Sequence, residues 1–393
     1  MSELQTHKQG PAWDYLQKWG YLKKRVASGL KHTVAIMDDG TARACGGDNG
    51  ALNVAGWTDL KEVVCMSRAT VGLRQDGGVY ISGGIDSDYT PEGTPISEWP
   101  KNIKTISADS LGDHILGLTR DGSVYAWGRN TEGQCNTGDW ENIIDICTTY
   151  NFSAGVRKDG TVVLCGDNTL AQKVSSWKNV EHIYAKASTL VGIQYDGKVL
   201  IASINEKDQF DVSDWEGIID VSLGSGEHDG IVGLKGNGDI CFSGNLPTGF
   251  FKQLHNILSI NIENSYLVAI TDYGTFWIKK HCGLGGEATI PPSGLVMTYH
   301  SATFVIFIDA DGKLSSSIDC EGTQIETKSS FSWGQEQING WRISIDCSER
   351  KSNECIDNRC GQKKSILDNI FLRFILGAGL AILAIYVLFF MKF

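Results

Sequence analysis

One turn recurs along the whole chain. Aligning the sequence on its Asp-Gly dipeptides and their equivalents marks glycines at 40, 77, 122, 160, 197, 238, 274 and 312, separated by 37, 45, 38, 37, 41, 36 and 38 residues. Eight marks at a near-constant period of about 39 residues define a repeat architecture before any other feature is weighed. A strict Gly triplet is absent, so the 46 glycines against 7 prolines exclude collagen and signal a turn-rich β protein.

The same elements surround each mark. Five positions before the glycine lies a small residue inside an apolar triplet: VAI at 34, VGL at 71, LGL at 116, AGV at 154, VGI at 191, VGL at 232 and VAI at 268. Only IFI at 306 breaks the rule. A small residue there suits a strand crowded against its neighbours near a central axis. The dipeptide itself is expected to be a hairpin turn, because glycine takes positive φ without steric cost. A second strand follows (TARACG, GVYISG, SVYAWG, TVVLCG), usually closed by another glycine. Upstream sits Trp57, Trp99, Trp140, Trp177 or Trp215, with Trp19 in register and Leu254 substituting once. An apolar pair such as Leu60/Val63 or Ile143/Ile146 then marks a third strand. The link has room for a fourth, and four short strands with their turns fill one period. Radial repetition of such sheets is a β-propeller. The fold class expected is therefore all-β, a propeller of seven or eight four-stranded blades, eight being favoured by the turn count. The segment GWRISID at 340–346 is a candidate closing strand.

SVYAWGRNTEGQC at 123–135, preceded by LTRDG and followed by DWENIIDI, resembles the regulator-of-chromosome-condensation (RCC1-like) repeat in its short bacterial form. The resemblance covers roughly residues 13–333 and weakens where WIKKH and LSSSI replace the glycine-closed strand. It implies a propeller, most often of seven blades, that mainly binds proteins; some members act as nucleotide-exchange factors for a small GTPase. No exchange loop can be matched here, so that activity is not carried over.

The C-terminal region reads differently. Phe374 to Met391 is an 18-residue run without charge, bounded by Arg373 and Lys392. At about 1.5 Å per residue it just spans a hydrocarbon core. Residues 370–391 are thus expected to form a transmembrane helix, with Phe374, Leu376, Leu380, Ile385 and Phe389 as membrane-anchor residues. No secretory signal is read in the first thirty residues. Arg350, Lys351, Arg359, Lys363 and Lys364 precede the run and Lys392 alone follows it. The positive-inside bias places the propeller on the cytoplasmic side of a single-pass, tail-anchored protein. The domains expected are an N-terminal segment 1–12, the propeller 13–346, a basic linker 347–369 and the helix 370–391.

Residues 342–393 hold eight Lys and Arg against five Asp and Glu, whereas the preceding 341 residues hold 27 against 41. An acidic body repels phosphate backbones, so no nucleic-acid partner is expected. The cysteines, eleven in all, mostly sit singly in strand-like segments and read as free, small buried groups. Cys347, Cys355 and Cys360 fit no common zinc spacing and leave free thiols, acylation, a redox pair or a metal open.

No catalytic string is found, and no enzyme activity, cofactor or metal site is expected. His32 and His114 occupy equal offsets before their turns and read as structural repeats. DADGK at 309–313 lacks the later carboxylates of a calcium loop. The candidate partner-binding residues are Asp86, Asp88, Tyr89 and Glu92 in GGIDSDYTPEGTP, which belongs to the longest gap, together with Phe250 and Phe251 in LPTGFFKQL. Loops protruding from a rigid scaffold are where recognition resides. The function expected is a membrane-tethered platform for protein–protein interaction, the partner being unidentified. The alternative is a regulator of a cytosolic enzyme or GTPase acting through a propeller loop.

Overall fold

The computed structural model describes residues 7–29, 31–46, 50–205, 210–224, 230–246, 254–263, 266–279, 295–300, 305–310 and 314–316. The chain divides into two units, Met1–Ser344 and Ile345–Phe393. The second lies outside the described residues, as do the 340–346 segment, Phe250, Phe251 and the 370–391 run. Among the described residues no helix is long and apolar enough to cross a membrane.

The first unit is mostly β. The described residues form eight antiparallel sheets in chain order, each ordered first strand, middle strand, hairpin strand. Sheet two is Leu60–Cys65, Ala69–Arg74 and Val79–Gly83; sheet three is Ile103–Ala108, His114–Thr119 and Val124–Gly128; sheet four is Ile143–Thr148, Ser153–Arg157 and Val162–Cys165. Sheet one opens with Val26–Ser28, sheet five with Val180–Lys186, sheet six with Ile218–Leu223, sheet seven with Ile257–Glu263 and sheet eight with Leu295–His300. The expected hairpins are present: Leu73 pairs with Val79, Leu118 with Val124, Val156 with Val162 and Ile193 with Val199 across the marked glycines.

The first strands of neighbouring sheets contact one another in succession, and that of sheet eight contacts that of sheet one. This is the radial arrangement of a β-propeller with first strands innermost. The middle strands lie between two neighbours, so His114–Thr119 is buried along its whole length. The layer between sheets two and three shows the packing: Val71 and Leu73 from one side meet Trp99, Ile103 and Ile106 from the other. Equivalent layers place Leu116 and Leu118 against Trp140 and Ile143, and Val191 and Ile193 against Trp215 and Ile218.

The small residue of the middle strand has a different cause from the one expected. A Cβ built on Gly117 would stand 2.4 Å from Trp99 Cζ3, and one on Gly155 would stand 3.1 Å from Trp140 Cζ3. Each glycine leaves the space that the six-membered ring of its own unit's tryptophan occupies. Crowding at the axis is not the reason, since the axis belongs to the first strands.

The turn glycines also do more than reverse the chain. The carbonyls of Gly40, Gly122, Gly160, Gly197 and Gly238 accept hydrogen bonds from Leu60, Ile143, Val180, Ile218 and Ile257 at 2.9–3.1 Å. In each case the donor is the first residue of the next sheet. A Cβ on Gly160 would meet Asn179 at 2.8 Å, so the position needs glycine for this approach as well as for its φ of 80°.

The four-stranded expectation is met in one unit and departed from in another where the links are described. Only sheet three shows a fourth strand among the described residues, Glu92–Gly93, which pairs with Trp127 and Gly128. Between sheets four and five the outer position holds a helix, α2, Asn168–Val174. Leu170 and Val174 stand one turn apart and both are buried in the layer below. Asp167 caps this helix by accepting from the Leu170 amide at 2.8 Å. Asp167→Ala should lower stability by about 1 kcal/mol. An unchanged urea midpoint would show that the cap is dispensable.

A helix before the first sheet, α1 (Pro11–Trp19), was not anticipated either. It continues into a 3-10 turn, Gly20–Lys24, and buries Ala12, Trp19 and Leu22.

Candidate functional site

The inner-to-middle connections and the links that leave the hairpin strands share one end of the ring. The loop 109–113, Tyr150 and the link 84–92 meet there. Ser67 N donates to Gly112 O at 2.9 Å, and a Cβ on Gly112 would lie 3.6 Å from Thr149 O, so loops of three successive units abut.

Arg129 organises this end. It leaves the hairpin strand of sheet three, and its side chain is only 7% exposed. The guanidinium carbon stands 4.9 Å from the Tyr89 ring centroid and 4.2 Å from that of Tyr150, so the cation lies against both rings. Such contacts reach about 2 kcal/mol when desolvated. Nε donates to Thr131 Oγ1 at 2.9 Å, Nη1 to the Tyr150 carbonyl at 3.4 Å, and Nη2 lies 3.6 Å from Glu132. The hydrogen bond with Tyr150, then the charge of that neighbour, raises the Tyr89 phenol above its usual pKa.

Of the residues singled out in the sequence, Asp86, Asp88 and Tyr89 come together in one turn. Asp86 pairs with Arg68 at 2.9 Å, its backbone carbonyl accepts from the Tyr89 amide at 3.0 Å, and its side chain accepts from the Asp88 amide at 3.2 Å. Glu92 lies apart, in the outer strand, where it accepts from Asn130 Nδ2 at 2.8 Å. Arg129, Tyr150 and Leu111 were not singled out. Leu111, 55% exposed, and Tyr150, 37% exposed, are the large apolar side chains that face solvent among the described residues. Both sit in inner-to-middle loops ten or eleven positions before a turn glycine, a shared offset that would have brought them together.

Below this surface the polar groups are structural. Asp113, 5% exposed, accepts from Ser67 Oγ, and its carbonyl holds the Arg129 amide at 2.8 Å. His114 Nε2 lies 2.9 Å from Ser153 Oγ, and burial, aided by the Arg129 charge, drives the imidazole pKa down to about 3. Burial likewise brings His32 to about 4. Buried thiols are shifted the other way, Cys45 to about 11 and Cys135 to about 12. Such thiols are poor nucleophiles near neutral pH. Among the described residues no cluster of His, Cys, Asp or Glu could hold a metal ion.

The segment that carries Asp113, His114 and Arg129 is also the one that a known family describes. Residues 112–134 match the regulator of chromosome condensation (RCC1) repeat. The chain is 29% identical over 165 residues to the ultraviolet-B receptor UVR8 of Arabidopsis thaliana, covering 36% of this chain and 37% of that protein. It is 31% identical over 133 residues to the human E3 ubiquitin-protein ligase HERC2, covering 28% of this chain and 3% of that protein. The chain thus spans well under half the length of either relative. Among solved structures, Prp20p of Saccharomyces cerevisiae aligns at 17% identity with a TM-score of 0.41, over 62% of this chain and 81% of that one. An RCC1-like repeat β-propeller agrees with the sheets, turns and tryptophan layers described above.

Proposed function

We propose that this chain is an eight-bladed RCC1-like propeller that serves, without enzymatic activity of its own, as a protein-interaction platform. The observation that carries this reading is the pair Leu111 and Tyr150. Two exposed apolar side chains stand on adjoining loops, and the buried Arg129 lies against the Tyr150 ring. Amphipathic anchors backed by a rigid scaffold are where binding energy concentrates. The reading includes a tether through the apolar run 374–391, with the ring on the cytoplasmic side.

Affinity capture from native lysate with the full-length chain and with Leu111→Glu/Tyr150→Glu tests the platform. The stoichiometric partner should be lost from the double variant while its melting temperature stays within a few degrees of the native value. The same partner recovered with both proteins would place the binding surface elsewhere. Recovery of a GTPase or enzyme would favour the regulatory alternative.

The tether has its own test. The full-length chain should stay in the membrane pellet through a high-salt wash, and Leu380→Arg/Ile385→Arg should release it. Native protein in the salt wash would end the membrane reading.

A further inference from the structure

The opposite end of the ring, where the Asp-Gly turns lie, carries the segment 7–25 of the same chain. A β-bulge recurs near the start of the inner strands, between Leu60 and Glu62, Ile143 and Asp145, Val180 and His182, and Ile218 and Asp220. It sets Glu62, Asp145, His182 and Asp220 at equivalent positions around the axis. The side chains of Glu62 and Asp220 are only 6% and 7% exposed.

Lysines of the segment 8–24 meet these inner-strand acids. Lys24 Nζ lies 3.4 Å from Glu62 Oε1 and 2.8 Å from Thr105 Oγ1, Lys23 Nζ lies 2.8 Å from Asp220 Oδ2, and Lys8 pairs with Glu181. The acids come from sheets two, five and six, the cations from one short stretch of chain. Among the described residues no ion pair from the sheets themselves reaches Glu62 or Asp220, and Glu181 Oε2 is buried without a partner. Thr105 Oγ1 donates to Glu62 at 2.9 and 3.0 Å and Val221 N to Asp220 at 3.1 Å, but buried carboxylates also call for a cation, and among the described residues the cations come from outside the sheets. Lys23 and Lys24 keep 41% and 52% of their side chains in solvent, as a ligand's stems do. Between them α1 lays Ala12, Trp13 and Leu16 on Val232, Leu254 and Ile257 of sheets six and seven.

We infer that this end of the ring is a binding site for an amphipathic segment bearing lysine or arginine, and that residues 7–25 are its resident occupant, whose lysine and α1 contacts are displaceable by such a segment of another protein while Trp19 and Leu22 stay in the core. Nothing in this reading depends on the Leu111/Tyr150 surface, which lies at the other end.

The probe is a fluorescein-labelled synthetic peptide with the sequence of residues 7–25, titrated by anisotropy against the full-length chain. Lys8→Ala/Lys23→Ala/Lys24→Ala weakens the resident and should bind the peptide at least tenfold more tightly than the native chain does. Adding Glu62→Gln and Asp220→Asn should remove that gain. Equal affinity for native and triple-variant protein, or a gain that survives loss of the two carboxylates, would overturn the proposal. Should the variants not fold, hydrogen exchange on the native chain decides. The Ala12 amide, bonded to Gly236 O at 3.0 Å, should exchange at least tenfold faster at high than at low salt, while Leu116 in the middle strand of sheet three keeps its rate. A salt-independent rate at Ala12 would equally reject the inference.

Discussion

Gly117→Leu is expected to destabilise the ring by about 4 kcal/mol. Overpacking a filled core costs ~1–3 kcal/mol, and the leucine also lifts Trp99 from the middle strand and costs part of its buried area. No relaxation is available nearby. The Cβ position already falls 2.4 Å from Trp99 Cζ3 and 2.8 Å from Trp99 Cε3, and Trp99 is 7% exposed between two sheets. Gly155→Leu should cost less, because the corresponding contacts to Trp140 begin at 3.1 Å. Thermal unfolding followed by tryptophan fluorescence measures both. A native melting temperature for the Gly117 variant would show that the tryptophan does not lie on this strand.

Mild acid is the second large perturbation. His32 and His114 are held neutral by burial, with pKa values of about 4 and about 3 against an ordinary value of 6.5. The unfolded chain takes up both protons below pH 6.5 and the folded chain does not, so stability present above that pH is lost as the pH falls toward the folded values. Between pH 6.5 and 5 the two histidines together cost about 3 kcal/mol, the slope approaching about 1.4 kcal/mol per group and pH unit only below 6.5.

Two groups act in the opposite sense. His182 is raised chiefly by its hydrogen bond to Asp145, and Glu62 is raised by burial, so each favours the folded state as the pH falls. The turn carboxylates Asp39, Asp76, Asp121 and Asp159 are lowered, mainly by hydrogen bonds from Thr41, Gly78, Thr119 and Thr161, and contribute only in more acidic solution. Urea unfolding at pH 7 and pH 5 should therefore show a large drop, clearly smaller in His114→Gln, which removes one of the two strongly depressed imidazoles. The same drop in the variant would mean that His114 titrates freely.

The strands were legible because their signals are local. A turn glycine, an apolar triplet and a tryptophan repeat at fixed offsets, and each maps onto one hairpin or one layer of the ring. Which strand lies innermost was not legible, because a continuous apolar run reports that a strand is covered on both faces without saying by what. The glycine in VGL or AGV was therefore assigned to the axis, whereas it faces the ring of its own unit's tryptophan.

The residue before several inner strands could have been read and was not. Asp59, Asn142, Asn179 and Asn256 all take positive φ, and each precedes the Leu, Ile or Val that starts the strand. No local pattern could have revealed where the segment 7–25 lies, since Lys23 and Asp220 are 197 residues apart. The candidate site was half visible. Tyr89 lies in a loop of unusual length, but its partner Arg129 is an ordinary charged residue after a strand, and only the fold brings Tyr150 to its other side. The calcium-like string at 309–313 is flanked by paired strands, Ile308 opposite Leu314, as a hairpin requires.

The joints between sheets carry a consequence for how such a chain can diverge. A turn carbonyl of one unit meets an amide of the next, and apart from the glycine this contact does not depend on which side chains either unit bears. The unit that has lost its tryptophan to Leu254 still makes the joint, with Ile257 N donating to Gly238 O at 3.0 Å. Geometry is inherited through the backbone from neighbour to neighbour, so individual repeats are free to drift in sequence while the circle keeps its pitch. The repeat family's model matches this chain at residues 112–134, while units elsewhere keep the same backbone joint with other side chains.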